Sequence, residues 1–157
     1  MSRPADTAAD PVLDPPEHAD INLQIIASFD AVSTFLVDLR NALDLRVGYA
    51  TGRTWEVVLA EYLNNIVEHA YAGTSDGAIK LWLTCDGAMA HIVLQDTGVA
   101  LPDHEVPLPL RPDVQVETEA VPEGGFGWFL IHSLCSDLRY VRKGAENWAS
   151  FRVSLSG

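Results

Sequence analysis

From residue 21 the chain alternates. Ile21, Leu23 and Ile25 are separated by Asn22 and Gln24, the period-two pattern of a half-buried strand. At Ser28 the period changes: Phe29, Val32, Phe35, Leu36, Leu39 and Leu43 recur every three or four residues. That spacing predicts a helix with one apolar stripe, capped by Ser28 and ending near Gly48. A second helix is predicted from Thr54, with Trp55, Val58, Leu59, Tyr62, Ile66 and Ala70 turned inward. Residues 79–85 and 89–95 read as two strands joined through Asp86-Gly87, a strong hairpin signal. A third helix is predicted from about residue 126 to 135. Residues 138–142 and 149–155 then form a last hairpin around residues 144–147.

Proline marks where this regularity stops. Pro4, Pro11, Pro15 and Pro16 fall in the first twenty residues, and Pro102, Pro107, Pro109, Pro112 and Pro122 fall between Val99 and Glu123. Proline removes a backbone donor and breaks helices and central strands, so both stretches are predicted to be irregular. Residues 1–20 also carry five carboxylates against Arg3 alone, and read as a disordered or loosely attached tail. A structureless stretch as long as residues 99–124 inside a compact domain is usually a lid or a binding loop. The element order β-α-α-β-β-lid-α-β-β implies an α+β two-layer sandwich, with helices on one face of a mixed, mostly antiparallel sheet. Residues 21–157 are read as one domain, and there are no internal repeats.

Charge narrows the partners. With a net charge of −12 the chain lacks the clustered Lys and Arg that a nucleic-acid backbone requires. A phosphate ligand therefore has to be held locally, by backbone N–H groups at a helix start or by a divalent cation. Cys85 and Cys135 lie in an apolar strand and an apolar helix pattern without CxxC spacing, and read as reduced buried thiols of a cytoplasmic protein. The N-terminus carries no apolar signal segment, and no apolar run approaches membrane-spanning length.

Three motifs then stand out. Glu61, Asn65 and His69 are spaced i, i+4, i+8 and share a helix face at the edge of the apolar stripe. Asn65 can offer a carbonyl oxygen to Mg²⁺, and Glu61 can orient or deprotonate a nucleophile; an ordinary amphipathic helix with polar boundary residues has the same pattern. Ile92, Leu94 and Asp96 point to one face of their strand, so an inward apolar row ends on a carboxylate that needs a donor. An adenine amine would serve, with Gly98 permitting close backbone approach, although a strand-end Asp opening a turn reads the same way. Gly124-Gly125-Phe126-Gly127 opens the third helix and can turn N–H groups toward an anion, or act as a hinge. It is neither a P-loop nor a GxGxxG fingerprint, and no zinc, GxSxG or Cys/His signature is present.

The segments "LAEYLNNIVEHAYAG", "LQDTGVALPD" and "EGGFGWFLIHSL" resemble the N, G1 and G2 boxes of the GHKL ATPases, whose ATP-binding domain has the Bergerat fold. The resemblance covers about residues 21 to 157, and within the superfamily it is nearest to the anti-sigma-factor serine/threonine kinases. It implies ATP and Mg²⁺ as cofactors, Glu61 as general base and Asn65 as metal ligand. It further implies Asp96 and Gly98 at the adenine, Gly125, Phe126 and Gly127 in the phosphate loop, His69 near the nucleotide, and residues 99–124 as the ATP lid. The implied activity is phosphorylation of an anti-anti-sigma (STAS-domain) protein, governing release of a sigma factor, in a cytoplasmic homodimer that binds neither nucleic acid nor membrane. A nucleotide-gated partner-binding module without kinase activity is the alternative. A sensor histidine kinase is disfavoured, because no two-helix phosphoacceptor hairpin precedes the first box. Two positions depart from the family pattern. Ala100 stands where a second glycine is usual. Trp148-Ala149-Ser150 replaces a Gly-Thr whose hydroxyl supports the adenine through water, so that hydroxyl is either lost at Ala149 or shifted to Ser150.

Overall fold

The computed structural model describes residues 13–72, 77–109 and 125–157. Five strands, β1 (Ile21–Ile26), β2 (Ala78–Asp86), β3 (Met89–Asp96), β4 (Cys135–Lys143) and β5 (Glu146–Ser154), form one sheet in the order β1-β2-β3-β5-β4. Among the described residues every pairing is antiparallel, so the sheet is not mixed. Three helices, α1 (Phe29–Val47), α2 (Thr54–Asn65) and α3 (Gly125–Leu134), cover one face. This is the α+β two-layer arrangement expected of the chain.

Local chemistry sets the ends of α1. Ser28 is extended at φ −138°, and its Oγ accepts from Ala31 N at 3.1 Å. Gly48 closes the helix in the left-handed region at φ 77° and donates to Asp44 O. The core follows strand parity. Ile79, Leu81 and Leu83 of β2 and Ala90, Ile92 and Leu94 of β3 lie on the helix side with Leu39, Leu43, Trp55, Val58, Leu59, Leu63 and Ile131, all essentially inaccessible to solvent.

The opposite parity builds a second, smaller cluster on the outer face. Trp82 and Trp148 stack at 5.7 Å there, against Val93 and Val141. Leu13 is buried in that cluster, and Lys143 donates to Leu13 O and pairs with Asp14 at 3.0 Å. Asp20 binds the edge of β2, donating its N to Leu83 O at 2.9 Å and accepting from Cys85 N at 2.6 Å. The stretch read as a loose tail is therefore attached over residues 13–20, because Leu13 finds an apolar site across the sheet; residues 1–12 lie outside the described residues.

Two local expectations change. Cys135 opens β4 directly after α3 instead of ending the helix, pairing with Val153. Both thiols are partly rather than fully buried, and burial pushes Cys135 up to about 11 and Cys85 above its usual range. A bulge between Ser136 and Arg139, with Asp137 at φ 52°, then shifts the register against β5 by one residue.

Candidate functional site

The site sits where α2, the end of β3, the β4–β5 hairpin and the first turn of α3 converge. Here α2 does not continue as an α-helix. Residues Ile66–Ala70 form a π turn, in which Tyr71 N bonds to Ile66 O at 3.1 Å. Such turns recur at functional sites because they re-aim the side chains on either side. Tyr71 anchors this turn to the β3 end: its hydroxyl accepts from Thr97 N at 2.8 Å and donates to Ala78 O at 2.8 Å. The turn also meets Gly98, where a Cβ would lie 2.5 Å from Ala70 O. Gly98 thus serves a close approach of two backbones, and Val99 N bonds to Ala70 O at 2.8 Å.

A cavity of about 50 Å³ lies between these parts. Asn65, His69, Asp96, Leu101, Trp128 and Asn147 contribute to its walls. The π turn puts His69 at its exposed margin, 3.8 Å from Glu68. Tyr62 backs the cavity, edge-on to Trp128 at 5.5 Å and stacked on Phe151 at 5.8 Å. Burial pushes the Tyr62 hydroxyl far above its usual range, with the Asp96 charge acting in the same direction.

Asp96 is 5% exposed at the last position of β3. Its Oδ1 accepts from Asn147 Nδ2 at 2.8 Å and from Gly98 N at 2.9 Å. Burial raises its pKa above 3.8, while the Asn147 and Gly98 hydrogen bonds and the Arg142 charge oppose that rise. Asn147 escaped the sequence reading, which placed it in a turn. It is paired with Asp96 across the β3–β5 ladder. Its Oδ1 accepts from Tyr140 Oη and, at 2.9 Å, from Arg142. The same three side chains hold the segment after β3. Arg142 and Asn147 donate to Gly98 O, Asn147 to Val99 O, and Tyr140 Oη accepts from Leu101 N at 3.0 Å.

Strand parity also resolves the two readings of residues 149 and 150. Ala149 faces the helix side opposite Leu94, without a hydroxyl. Ser150 pairs with Val93 on the outer face, beside His91 and Arg139, and cannot reach the cavity.

At the other end of the site, Glu61 and Asn65 lie against α3. A Cβ on Gly127 would fall 2.7 Å from Glu61 Oε2 and 3.8 Å from Asn65 Nδ2. With Glu61 in this position, a side chain at 127 would crowd its carboxylate, while Asn65 stays at ordinary contact distance. Asn65 Nδ2 is buried without a hydrogen-bond partner among the described residues. Gly125 is the first residue of α3, and Phe126 is 58% exposed and does not line the cavity. Gly124 and residues 110–123 lie outside the described residues. Those of the lid stretch that are described include a 3-10 turn, Pro102–His104, and Pro107 O bonded to His132 Nε2 at 2.8 Å.

A bound Mg²⁺ ion fits this donor set. Among the described residues no group of three His, Cys, Asp or Glu could cage a metal. One buried amide without a partner beside a helix start could serve as a single protein ligand to a hard cation that keeps waters as its others. A half-turn of the Asn65 amide presents Oδ1 where Nδ2 now lies unpaired. No helix among the described residues is long and apolar enough to cross a membrane.

Residues 26–153 match the histidine kinase-like ATPase domain. The serine-protein kinase RsbW of Listeria monocytogenes is 27% identical over 125 residues, covering 78% of this chain and 79% of RsbW. Among solved structures, the Acinetobacter baumannii histidine kinase AdeS superposes with a TM-score of 0.45 at 15% identity, over 87% of this chain and 68% of that one. The blue-light activated histidine kinase of Erythrobacter litoralis gives 0.42 at 17% identity, over 66% of this chain. The chain spans 30% of that kinase's length.

Proposed function

The chain belongs to the histidine kinase-like ATPase domain family, and from that premise we propose that it is an ATP- and Mg²⁺-dependent kinase acting on a serine or threonine of a partner protein. The observation that carries the reading is that Glu61, Asn65 and the Gly127 backbone meet between α2 and α3, and that Asn65 also lines a cavity shared with Asp96. The cavity's apolar walls, Tyr62, Ile66 and Trp128, suit a purine, and Asp96 Oδ2 suits its 6-amino group. The first turn of α3 directs N–H groups and the positive helix end toward the phosphates. When bound through Asn65, Mg²⁺ neutralises charge on the β- and γ-phosphates.

The Glu61 carboxylate takes the proton of the acceptor hydroxyl as that oxygen bonds to the γ-phosphorus. The bond from phosphorus to the β–γ bridging oxygen breaks, leaving ADP. Positioning supplies most of the rate in such transfers, which is why a glycine beside Glu61 matters. Residues 99–109 form the root of a lid read over residues 99–124. A volume of about 50 Å³ holds only a few water molecules, so the part of the root that lines the cavity, residues 99–102, moves outward when a purine enters.

RsbW is a serine-protein kinase; following the resemblance to the anti-sigma-factor kinases, the proposed acceptor is an anti-anti-sigma (STAS-domain) protein and the proposed regulated partner a sigma factor, with the kinase acting as a cytoplasmic homodimer. Glu61→Ala is expected to abolish transfer from labelled ATP to that acceptor while ATP affinity stays within about threefold. Unchanged transfer removes the base assignment. Ala149, which carries no hydroxyl on the cavity side, favours a second reading, a nucleotide-gated binding module without chemistry. A stable complex with the partner, with no label transferred, would favour it.

A further inference from the structure

Asn147 is the most heavily bonded side chain of the site, and the assigned chemistry does not use it. Its Nδ2 lies within hydrogen-bond distance of three acceptors, Asp96 Oδ1, Gly98 O and Val99 O, at 2.8, 3.1 and 3.2 Å. Its Oδ1 receives Tyr140 Oη and Arg142 Nη1. An amide has two donors and one acceptor oxygen, so this carboxamide is saturated and its plane is fixed. Gly98 N supplies a second donor to Asp96 Oδ1. Both bonds to the carboxylate thus land on one oxygen. Oδ2 accepts none among the described residues, and Asp96 faces the cavity.

This asymmetry bears on which base can be read. Adenine presents one amine at C6 and needs one acceptor. Guanine presents O6 there, an acceptor facing an acceptor. To gain from a carboxylate it must shift and donate N1–H and N2–H to two oxygens at once. With Oδ1 already holding two donors, that bidentate pairing lacks its second oxygen. We propose that Asn147 is a specificity-determining positioning residue: by saturating Asp96 Oδ1 it leaves a single acceptor, so the site takes 6-aminopurine nucleotides and rejects 6-oxopurines. The inference rests on the reading of the cavity as a purine-nucleotide site. Tyr140 and Arg142 hold Asn147 in place and also grip residues 98–101, so base reading and lid-root position share one set of hydrogen bonds.

The test is a binding measurement with the whole chain, by fluorescence competition against a labelled ATP in the presence of Mg²⁺. The probes are ATP, 2,6-diaminopurine riboside triphosphate and GTP. Wild-type protein is expected to bind the first two within about threefold of each other and GTP at least a hundredfold more weakly. Asn147→Ala frees Oδ1 and is expected to cut the ATP-to-GTP ratio at least tenfold, mostly by strengthening GTP relative to ATP. A variant that keeps the wild-type ratio, whatever its absolute affinity, overturns the proposal, since a merely structural role lowers both affinities together. Should Asn147→Ala not fold, the wild-type series still decides: GTP within threefold of ATP overturns the single-acceptor argument. If no nucleotide binds the wild type, the purine-site reading itself falls.

Discussion

Asp96→Asn separates what the buried carboxylate does for binding from what it costs the fold. The substitution is isosteric. An amide keeps one acceptor oxygen, and Asn147 Nδ2 and Gly98 N will hold that oxygen where Oδ1 now sits. The new –NH₂ must then occupy the Oδ2 position, which on the proposed reading sets a donor against the adenine amine. The variant loses a hydrogen bond to a charged group, about 1.5–3 kcal/mol, and leaves two donors opposed. The first term alone is about ten- to a hundredfold in Kd. Stability moves the other way. Because burial holds the folded pKa above 3.8, the native state binds more protons than the unfolded chain between 3.8 and that raised value. Stability conferred at this site therefore falls as pH rises through that window, and the penalty is fully present above it. Asparagine carries no such penalty. Thermal unfolding at pH 7 is expected to show the variant at least as stable as wild type. The wild type alone should gain stability from Asp96 on acidification through the raised pKa. ATP affinity within twofold of wild type, or a variant more than about 2 kcal/mol less stable, refutes the reasoning.

Two glycine substitutions probe the two ends of the site. Gly127→Ala places a Cβ 2.7 Å from Glu61 Oε2, the far end of a flexible side chain, so Glu61 swings aside and α3 stays; stability should hold within about 1 kcal/mol while phosphoryl transfer falls at least tenfold more than ATP affinity, and unaltered transfer in a kinase assay counts against the role of Glu61. Gly98→Ala drives a Cβ to 2.5 Å from Ala70 O, a backbone atom tied to Val99 N, and overpacking of this kind costs about 1–3 kcal/mol; a denaturant midpoint unchanged from wild type would show that the strand end and π turn can part freely.

The regular elements were legible because one face of each is buried against the others. Ser28 and Gly48 bound α1 where capping chemistry placed them. Asp96 stood out because Ile92 and Leu94 precede it at the same parity, and the core lies on that side. What was not legible depends on contacts remote in sequence. Tyr62, Ile66 and Ala70 fit an α-helix as well as a π turn. The turn widens where Gly98 and Tyr71 bind it to the end of β3. Trp128, Ile131 and Cys135 fit a helical stripe, yet pairing with Val153 takes Cys135 into β4. Leu13 sits among prolines and carboxylates, and only the stacked tryptophans across the sheet give it a burial site.

Asn147 shows most clearly why spacing along a strand was insufficient. The serine at 150 is nearer in sequence to the expected hydroxyl, but alternation turns it to the outer face, and no rotation of its side chain crosses the sheet. The alanine at 149 has the right face and no polar atom. Two residues earlier, at the same parity, a longer side chain reaches Asp96 directly. A hydroxyl acting through water can turn and share its proton; a carboxamide bonded on both edges cannot. Asn147 is therefore a rigid support, anchored to the backbone of residues 98 and 99. On the proposed reading, a base that pushes residues 99–101 outward must strain those same bonds. Asn147 thus ties the Asp96 carboxylate to the backbone of residues 98 and 99, and no motif of adjacent residues could have announced it.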